Sequence, residues 1–545
     1  MNFVRLFRTL IPLLLFTAGL AAQPPKLVVV IILDQFPYDY LQRFEPWFGE
    51  GGFRYLLNQG ADFSNARYEY ATTKTAPGHA ALLTGSYNHR DGIVANRWWD
   101  RDRQRWMNSV DDDSVTILGH RTPGHSPKNL LTYTAGDMLR LGTNFRSKVV
   151  SIAHKDRSAV LMGGKFGSAY WIEDSLVVTS TYYRRNLPAW VEDFNRSDAM
   201  RSYFGKTWTE LRPDVAATIC DDDNAPYEAN PGNIGIVFPH RITGDDPARI
   251  TPSFYRSVEF SPFAIEYLFD LVRRACAAES LGQRGVTDML CIGVSITDDI
   301  GHAFGPRSHE VFDNALRTDA VLAGFFSYLD KRIGLANCLI ACSSDHGIPP
   351  IPEDMKKMSP DIPAGRIAPS AISALAAAQL DAAFGSPPSG KKWVEAVVES
   401  DIYLNRSVLR DKQLPLDRVT QLLKDSLAFR TPFAGAFTRT ELERGEFSDP
   451  LGKAYERAFY GPRSGDIVFV LRPYYIISGE KEGTNHGQPY DYDSHVPLLL
   501  AGGAVLPGVY RGEVSPVDLA PTICSILHIE FPPSREGRVL REAIR

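Results

Sequence analysis

The sequence predicts an α/β fold with a central, mostly parallel sheet flanked by helices, and three observations predict it. Leu27 to Leu33, Met289 to Ile296 and Cys338 to Ala341 are apolar runs of strand length, with Asp466 to Leu471 as a fourth candidate. Runs that are apolar throughout, instead of alternating, suit strands covered on both faces, as in a parallel sheet between helical layers. Helix-period patterns at Pro262 to Ala278, Glu310 to Ile333 and Val517 to Leu527 fall between or after them, giving the alternation of that fold class.

Taken from the start, the chain opens with Arg5 and Arg8, a mostly apolar run through Leu20, and Ala21-Ala22 before Gln23-Pro24-Pro25. A basic region, a short apolar stretch and a small-residue exit describe a cleavable secretory signal over residues 1–22. The run is shorter than the roughly 20 apolar residues that span a bilayer, and Pro12 disfavours a buried helix. The expectation is export to the periplasm or the medium, with no membrane span left after cleavage.

Residues 23–545 then read as a single catalytic domain with insertions at about 98–260 and 352–445. Within the first, the polar stretch from Trp98 to Thr132 carries Asp111-Asp112-Asp113, read as a solvated acidic loop, with calcium ligation as the alternative. The second contains helix patterns at Ala371 to Phe384 and Leu416 to Leu427. A hydrophobic content of 44% supplies a large core. Because 59 basic residues nearly balance 64 acidic ones, there is no broad positive field, which argues against a dedicated nucleic-acid binder. None of the six cysteines stands in a Cys-x-x-Cys spacing, and Cys291, Cys338 and Cys342 in apolar runs read as buried thiols as readily as bridges. Oligomeric state is open, and a monomer is compatible with these features.

Chemistry concentrates just beyond the strand ends. Asp34, Asp298 and Asp345 each fall within a few residues of an apolar run, and in open α/β sheets ligands bind at the carboxyl ends of strands. Any one of them alone reads as a helix cap or turn residue. Together they suggest convergence. Thr75, in Thr73-Lys74-Thr75-Ala76-Pro77-Gly78-His79 ahead of the apolar Ala80 to Leu83, reads as a residue at a helix N-terminus, where N–H groups and the helix dipole attract an anion. Alone, it reads as an N-cap. Asp298 with His302, the pair Asp345-His346 and the later His486 offer carboxylate and imidazole donors, a mixture suited to zinc. The remaining nine of the twelve histidines need no metal.

This ordered set, Asp34, Thr75, Asp298/His302, Asp345/His346 and His486, resembles the alkaline phosphatase superfamily. More closely, it resembles the secreted, phosphate-irrepressible bacterial alkaline phosphatases with a threonine nucleophile, from Leu27 to the C-terminal Pro516-Val517-Asp518-Leu519-Ala520-Pro521-Thr522. The resemblance implies an alkaline-phosphatase-like core with inserted cap segments and two zinc ions. Asp298, His302 and His486 would hold one, and Asp34, Asp345 and His346 the other together with Thr75. Two ions roughly 3.5–4 Å apart would clamp the attacking and leaving oxygens of an in-line displacement, with Thr75 phosphorylated in between. It also implies that Asn96 and the Lys155-x-Arg157 pair contact nonbridging phosphate oxygens. Without the resemblance, Lys155 and Arg157 read as a solvated basic turn.

A charge count supports phosphate monoesters as substrates. Asp34, Asp298, Asp345 and an ionised Thr75 would be offset by two zinc ions, so Lys155 and Arg157 are the cations left for a phosphate dianion. A diester exposes one charged oxygen fewer and gains less. The runner-up is a phosphodiesterase or nucleotide pyrophosphatase of the same superfamily, and a catalytically silent zinc- or phosphate-binding protein is the alternative of another class. Sulfatase chemistry is disfavoured because Thr75-Ala76-Pro77-Gly78-His79 lacks the Cys/Ser-x-Pro-x-Arg pattern.

Overall fold

The structure, a computed structural model, describes residues 24–120 and 122–545. The expected signal segment lies outside the described residues. Among those described, no helix is long and apolar enough to cross a membrane.

An eleven-stranded sheet organises the molecule. From edge to edge it runs Gly508–Tyr510, Gly60–Phe63, Leu498–Gly502, Cys338–Ser344, Leu27–Leu33, Asp288–Val294, Val149–Ala153, Ser168–Glu173, Leu176–Ser180, Asp111–Leu118 and Pro123–His125. The five consecutive strands from Cys338–Ser344 to Ser168–Glu173 are parallel, and antiparallel pairs extend the sheet on both sides, with Gly508–Tyr510 added parallel to Gly60–Phe63 at one edge.

The Leu27–Leu33 strand shows why its sequence is apolar throughout. Leu27, Val29, Ile31 and Leu33 enter one core cluster, while Val28, Val30 and Ile32 enter the other. Successive side chains point to opposite faces, and both faces are covered. Helices Phe263–Glu279 and His309–Ile333 contribute to the first cluster, and Thr75–Thr84 and Leu519–Leu527 to the second. Each fully buried aliphatic side chain contributes about 1.5–3 kcal/mol.

Two expectations are corrected. The fourth apolar run forms a strand, Ile467–Leu471, but not in the main sheet: it pairs antiparallel with Asp401–Leu404 and Phe433–Thr438 in a separate four-stranded sheet. A short apolar run reports burial on both faces and carries no information on which sheet buries it. Here helices Pro369–Phe384 and Leu416–Leu427 help to close a core around Trp393, Leu423 and Phe469, so the smaller unit takes a strand from beyond the expected 352–445 stretch.

The second correction concerns Asp111 to Asp113, which open a strand of the main sheet instead of forming a solvated loop. Asp112 is buried because Ser114 Oγ (2.6 Å), Ser126 Oγ (2.7 Å) and Lys128 Nζ (3.1 Å) all donate to it. Those bonds replace the water that an acidic loop would require. All six cysteines are free thiols.

Candidate active site

Register builds the site. Leu33 stands opposite both Val294 and Ser344, so the next residue on each strand, Asp34, Ser295 and Asp345, lies at one level beyond the sheet. Gly293 pairs with Ala153, which brings Lys155 to the level of Ser295, and the Lys155 N–H faces Ser295 Oγ at 3.4 Å. With adjacent strands about 4.8 Å apart, three turns deliver Asp345, Asp34 and Lys155 side by side. Asp298 follows from the first turn of the Ile296–Phe304 helix.

All six expected metal ligands come together here. Asp34, Asp345 and His346 form one group whose donor atoms lie within 4.8 Å of one another, and Asp298, His346 and His486 form another. His302 Nε2 stands 3.1 Å from Asp298 Oδ1, beside the second group. The rings of His346 and His486 stack with centroids 3.5 Å apart. The groups therefore meet at His346, which the resemblance had assigned to one set alone.

Each imidazole is anchored by its outer nitrogen. Nδ1 of His302, His346 and His486 lies 2.8, 3.0 and 2.7 Å from the carbonyls of Thr484, Gly347 and Thr73. A carbonyl only accepts, so these contacts call for Nδ1–H and turn Nε2 inward. His346 Nε2 then faces Asp34 Oδ1 at 3.3 Å and Asp345 Oδ2 at 3.5 Å. All three atoms are buried without a hydrogen-bond partner. A lone pair set against two carboxylate oxygens calls for a cation between them. Tetrahedral ligands of zinc, at about 2.0–2.1 Å from the ion, lie about 3.4 Å from each other. The donors fit a divalent metal.

The charges are strongly coupled. Burial and the Asp298 charge push Asp34 up, but Lys155 and His346 outweigh them and hold it at about 2. Burial also opposes ionisation of Asp298, yet His302 and Lys155 keep it well below the carboxylate range. Asp345 goes well up, from burial and then the neighbouring Asp34. Burial, followed by His346 and Lys74, keeps His486 neutral. The Lys155 ammonium lies 2.9 Å from Asp34 Oδ2 and against Asp298 Oδ2, so it bridges carboxylates of the two groups.

Thr75 is the first residue of the Thr75–Thr84 helix; Lys74 is the N-cap, and no side chain caps this end. The threonine is therefore not the capping residue that its local sequence suggests. The helix lies directly on Asp345: a Cβ at Gly78 would stand 2.4 Å from the Asp345 carbonyl oxygen, so only glycine permits the approach. Asn96 Oδ1 accepts from the Ala76 N–H at 2.8 Å, which holds this side chain at the residue next to Thr75. Arg157 lies 3.7 Å from Asp156 Oδ1, with its Nε buried and unpartnered.

Three functional neighbours escaped the sequence reading. Gln35, with φ of 59°, donates its backbone N–H to Asp345 Oδ1 at 3.1 Å and its side-chain amide to Asp298 Oδ1 at 2.6 Å, tying both metal groups together. A Cβ at Gly301 would stand 2.0 Å from Gln35 Oε1, so that glycine makes room for a side chain, not for a bend. His79 Nδ1 is committed to the Thr75 carbonyl at 2.8 Å and lies 3.2 Å from Asp345 Oδ2 without bonding to it. Its i, i+4 spacing from Thr75 on one helix face was the available signal. Lys74, itself buried, reaches Asn485 Oδ1 at 3.0 Å and Glu399 at 3.1 Å, joining the helix start to the His486 loop and the smaller sheet.

Comparison with known proteins accords with this arrangement. The chain is 32% identical over 530 residues to the protein named alkaline phosphatase PafA from Elizabethkingia meningoseptica, covering 96% of this chain and 95% of that one. It is 33% identical to alkaline phosphatase PhoV from Synechococcus elongatus, covering 96% and 93%. The crystal structure of wild-type PafA superposes with a TM-score of 0.90 over 96% of this chain and 99% of PafA. Residues 28–495 match the family model described as type I phosphodiesterase / nucleotide pyrophosphatase. That span holds Asp34, Thr75, Asp298, His302, Asp345, His346 and His486, so the ligand cluster and the family match coincide, and the chain belongs to the type I phosphodiesterase/nucleotide pyrophosphatase family of the alkaline phosphatase superfamily.

Proposed function

We propose that the protein is an exported, zinc-dependent phosphate monoester hydrolase, an alkaline phosphatase in which Thr75 is the nucleophile. The observation that carries this reading is the buried, partnerless trio Asp34 Oδ1, Asp345 Oδ2 and His346 Nε2 on which the nucleophile's helix rests. Asp298, His302 and His486 would hold one zinc ion, and Asp34, Asp345, His346 and Thr75 the other. When bound, the pair supplies positive charge that stabilises the Thr75 alkoxide and the departing oxygen.

The chain's own residues do the rest. Thr75 Oγ1, its proton lost to solvent, attacks phosphorus in line; the bond to the leaving oxygen breaks, that oxygen takes up a proton from solvent, and phosphothreonine forms. Water then attacks the same phosphorus from the side vacated by the leaving group, releasing phosphate and restoring the hydroxyl. Asn96 Nδ2 and the Lys155 and Arg157 heads donate to the nonbridging oxygens, once metal neutralises the carboxylates that hold Lys155. The Ala76 N–H fixes Asn96 for that task. A variant of PafA whose structure is solved carries substitutions at a threonine, an asparagine, a lysine and an arginine, the same four residue types as Thr75, Asn96, Lys155 and Arg157.

The test is kcat/KM of zinc-loaded protein on p-nitrophenyl phosphate and on its bis-ester. The expected result is a clear monoester preference, with Thr75→Ala retaining zinc but losing on the order of 10⁴-fold or more in monoester turnover. Greater activity on the diester would move the assignment to phosphodiesterase, and no turnover of either by zinc-loaded protein would make it a binding protein.

A further inference from the structure

The opposite end of the parallel strands carries a second concentration of charge. Lys148 immediately precedes the Val149–Ala153 strand and Lys155 follows it, so the two lie roughly 20 Å apart at about 3.3 Å per residue. Around Lys148 is a cavity of about 470 Å³, lined by Arg140, Lys148, Lys165 and Arg184, by Phe166, Tyr182 and Tyr183, and by one carboxylate, Glu279.

That carboxylate is already engaged: it accepts from Lys148 Nζ at 2.5 Å and from Trp190 Nε1 at 3.3 Å. Among the described residues, Arg140, Lys165 and Arg184 have no acidic side chain at ion-pair distance. The arginines are nonetheless held in place. Arg140 Nη1 donates to the carbonyls of Phe145, at 2.9 Å, and Ser147, and Arg184 Nη2 donates to Ser168 Oγ at 3.0 Å. The Nε of each is buried and has no acceptor. Burial lowers the affinity of Arg140 for its proton, and the charges of Arg184 and Arg284 lower it further, against the opposing pull of Asp137 and Asp288.

Gathering like charges in a concavity is unfavourable unless an anion completes the site. Two guanidinium forks and two ammonium groups match the several oxygens of a phosphate group. The volume falls within the range of small-ligand pockets, about 300–1,000 Å³, and suits a compact anion rather than the face of a polymer. We propose that this cavity is a second anion site, which binds a small, multiply charged oxyanion of the phosphate class at a distance from the catalytic centre.

Calorimetric titration of the zinc-loaded protein with inorganic phosphate tests this. In Arg140→Gln/Arg184→Gln the expected result is one fewer phosphate bound per chain than in the parent, with kcat/KM for p-nitrophenyl phosphate within twofold. Equal stoichiometry in a folded double variant would overturn the proposal. Lys165→Gln serves if the double variant fails to fold. It should weaken phosphate binding at the remote site at least threefold, and unchanged binding would likewise overturn it.

Discussion

At the scale of single residues, the site depends on side chains that share charges no one of them tolerates alone. Lys155 illustrates this: its ammonium sits between Asp34 and Asp298, yet the proposed chemistry needs it on a phosphate oxygen. Its partner Arg157 has a buried Nε awaiting an acceptor. Replacing both by Ala should lower kcat/KM for a monoester by about 10²–10³-fold, the usual cost of lost transition-state donors, and should lower it less for a diester, which presents one charged oxygen fewer. Parallel kinetics on the two substrates measure the difference. Gln35 makes a separate prediction. Its amide steadies Asp298 and its backbone steadies Asp345, so Gln35→Ala should weaken zinc retention about 10–100-fold, as loss of an outer-sphere partner does, read by competition with a chelator. Aspartates and histidines at short spacing made the converging donor groups legible in the sequence. Gln35 was not, because glutamine is a poor metal donor and its role depends on a left-handed backbone that no local pattern announces.

At the scale of elements, the close contact between the Thr75–Thr84 helix and the turn after Cys338–Ser344 decides where Thr75 stands. Gly78→Ala would place a methyl carbon 2.4 Å from the Asp345 carbonyl oxygen, which is backbone and cannot swing away. The helix must lift, at about 1–3 kcal/mol for overpacking, and carry Thr75 with it. Both Tm and kcat should fall, whereas Ala80→Gly on the same helix should lower Tm mainly through helix propensity. Strands buried on both faces were legible as apolar runs, and Leu27–Leu33, Asp288–Val294 and Cys338–Ser344 occur at or near their expected limits. Ile467–Leu471 reads the same way but lies in the smaller sheet, since partner choice is a property of the tertiary fold. The acidic triplet misled for a related reason: Ser114, Ser126 and Lys128 satisfy Asp112, and two of these donors come from a neighbouring stretch of chain.

For the whole molecule, metal and pH act on stability through distinct groups. The proposed zinc ions would bind only where six distant residues converge and so would favour the folded chain, by about 4 kcal/mol at a thousand times their Kd; chelation should lower Tm and abolish turnover, with both restored by zinc. The pH effect arises elsewhere, at Glu228. This side chain is buried, its Oε2 has no partner, and Glu310, Asp223, Asp221 and Asp354 face it. Arg307 is committed elsewhere, to Asp221 at 2.7 Å. Burial first, and then these carboxylates, push Glu228 up to about 10. The folded chain therefore holds a proton that the unfolded chain releases near pH 4.5. Its contribution is fully present below that value and is lost as pH rises toward about 10, on the order of 1 kcal/mol per pH unit. Glu228→Gln keeps the shape and removes the titration. The variant should be more stable than the parent by a margin that widens from pH 5 to pH 9, measured as Tm in the same zinc concentration. A margin that stays constant across that range would show that Glu228 does not hold its proton in the folded state.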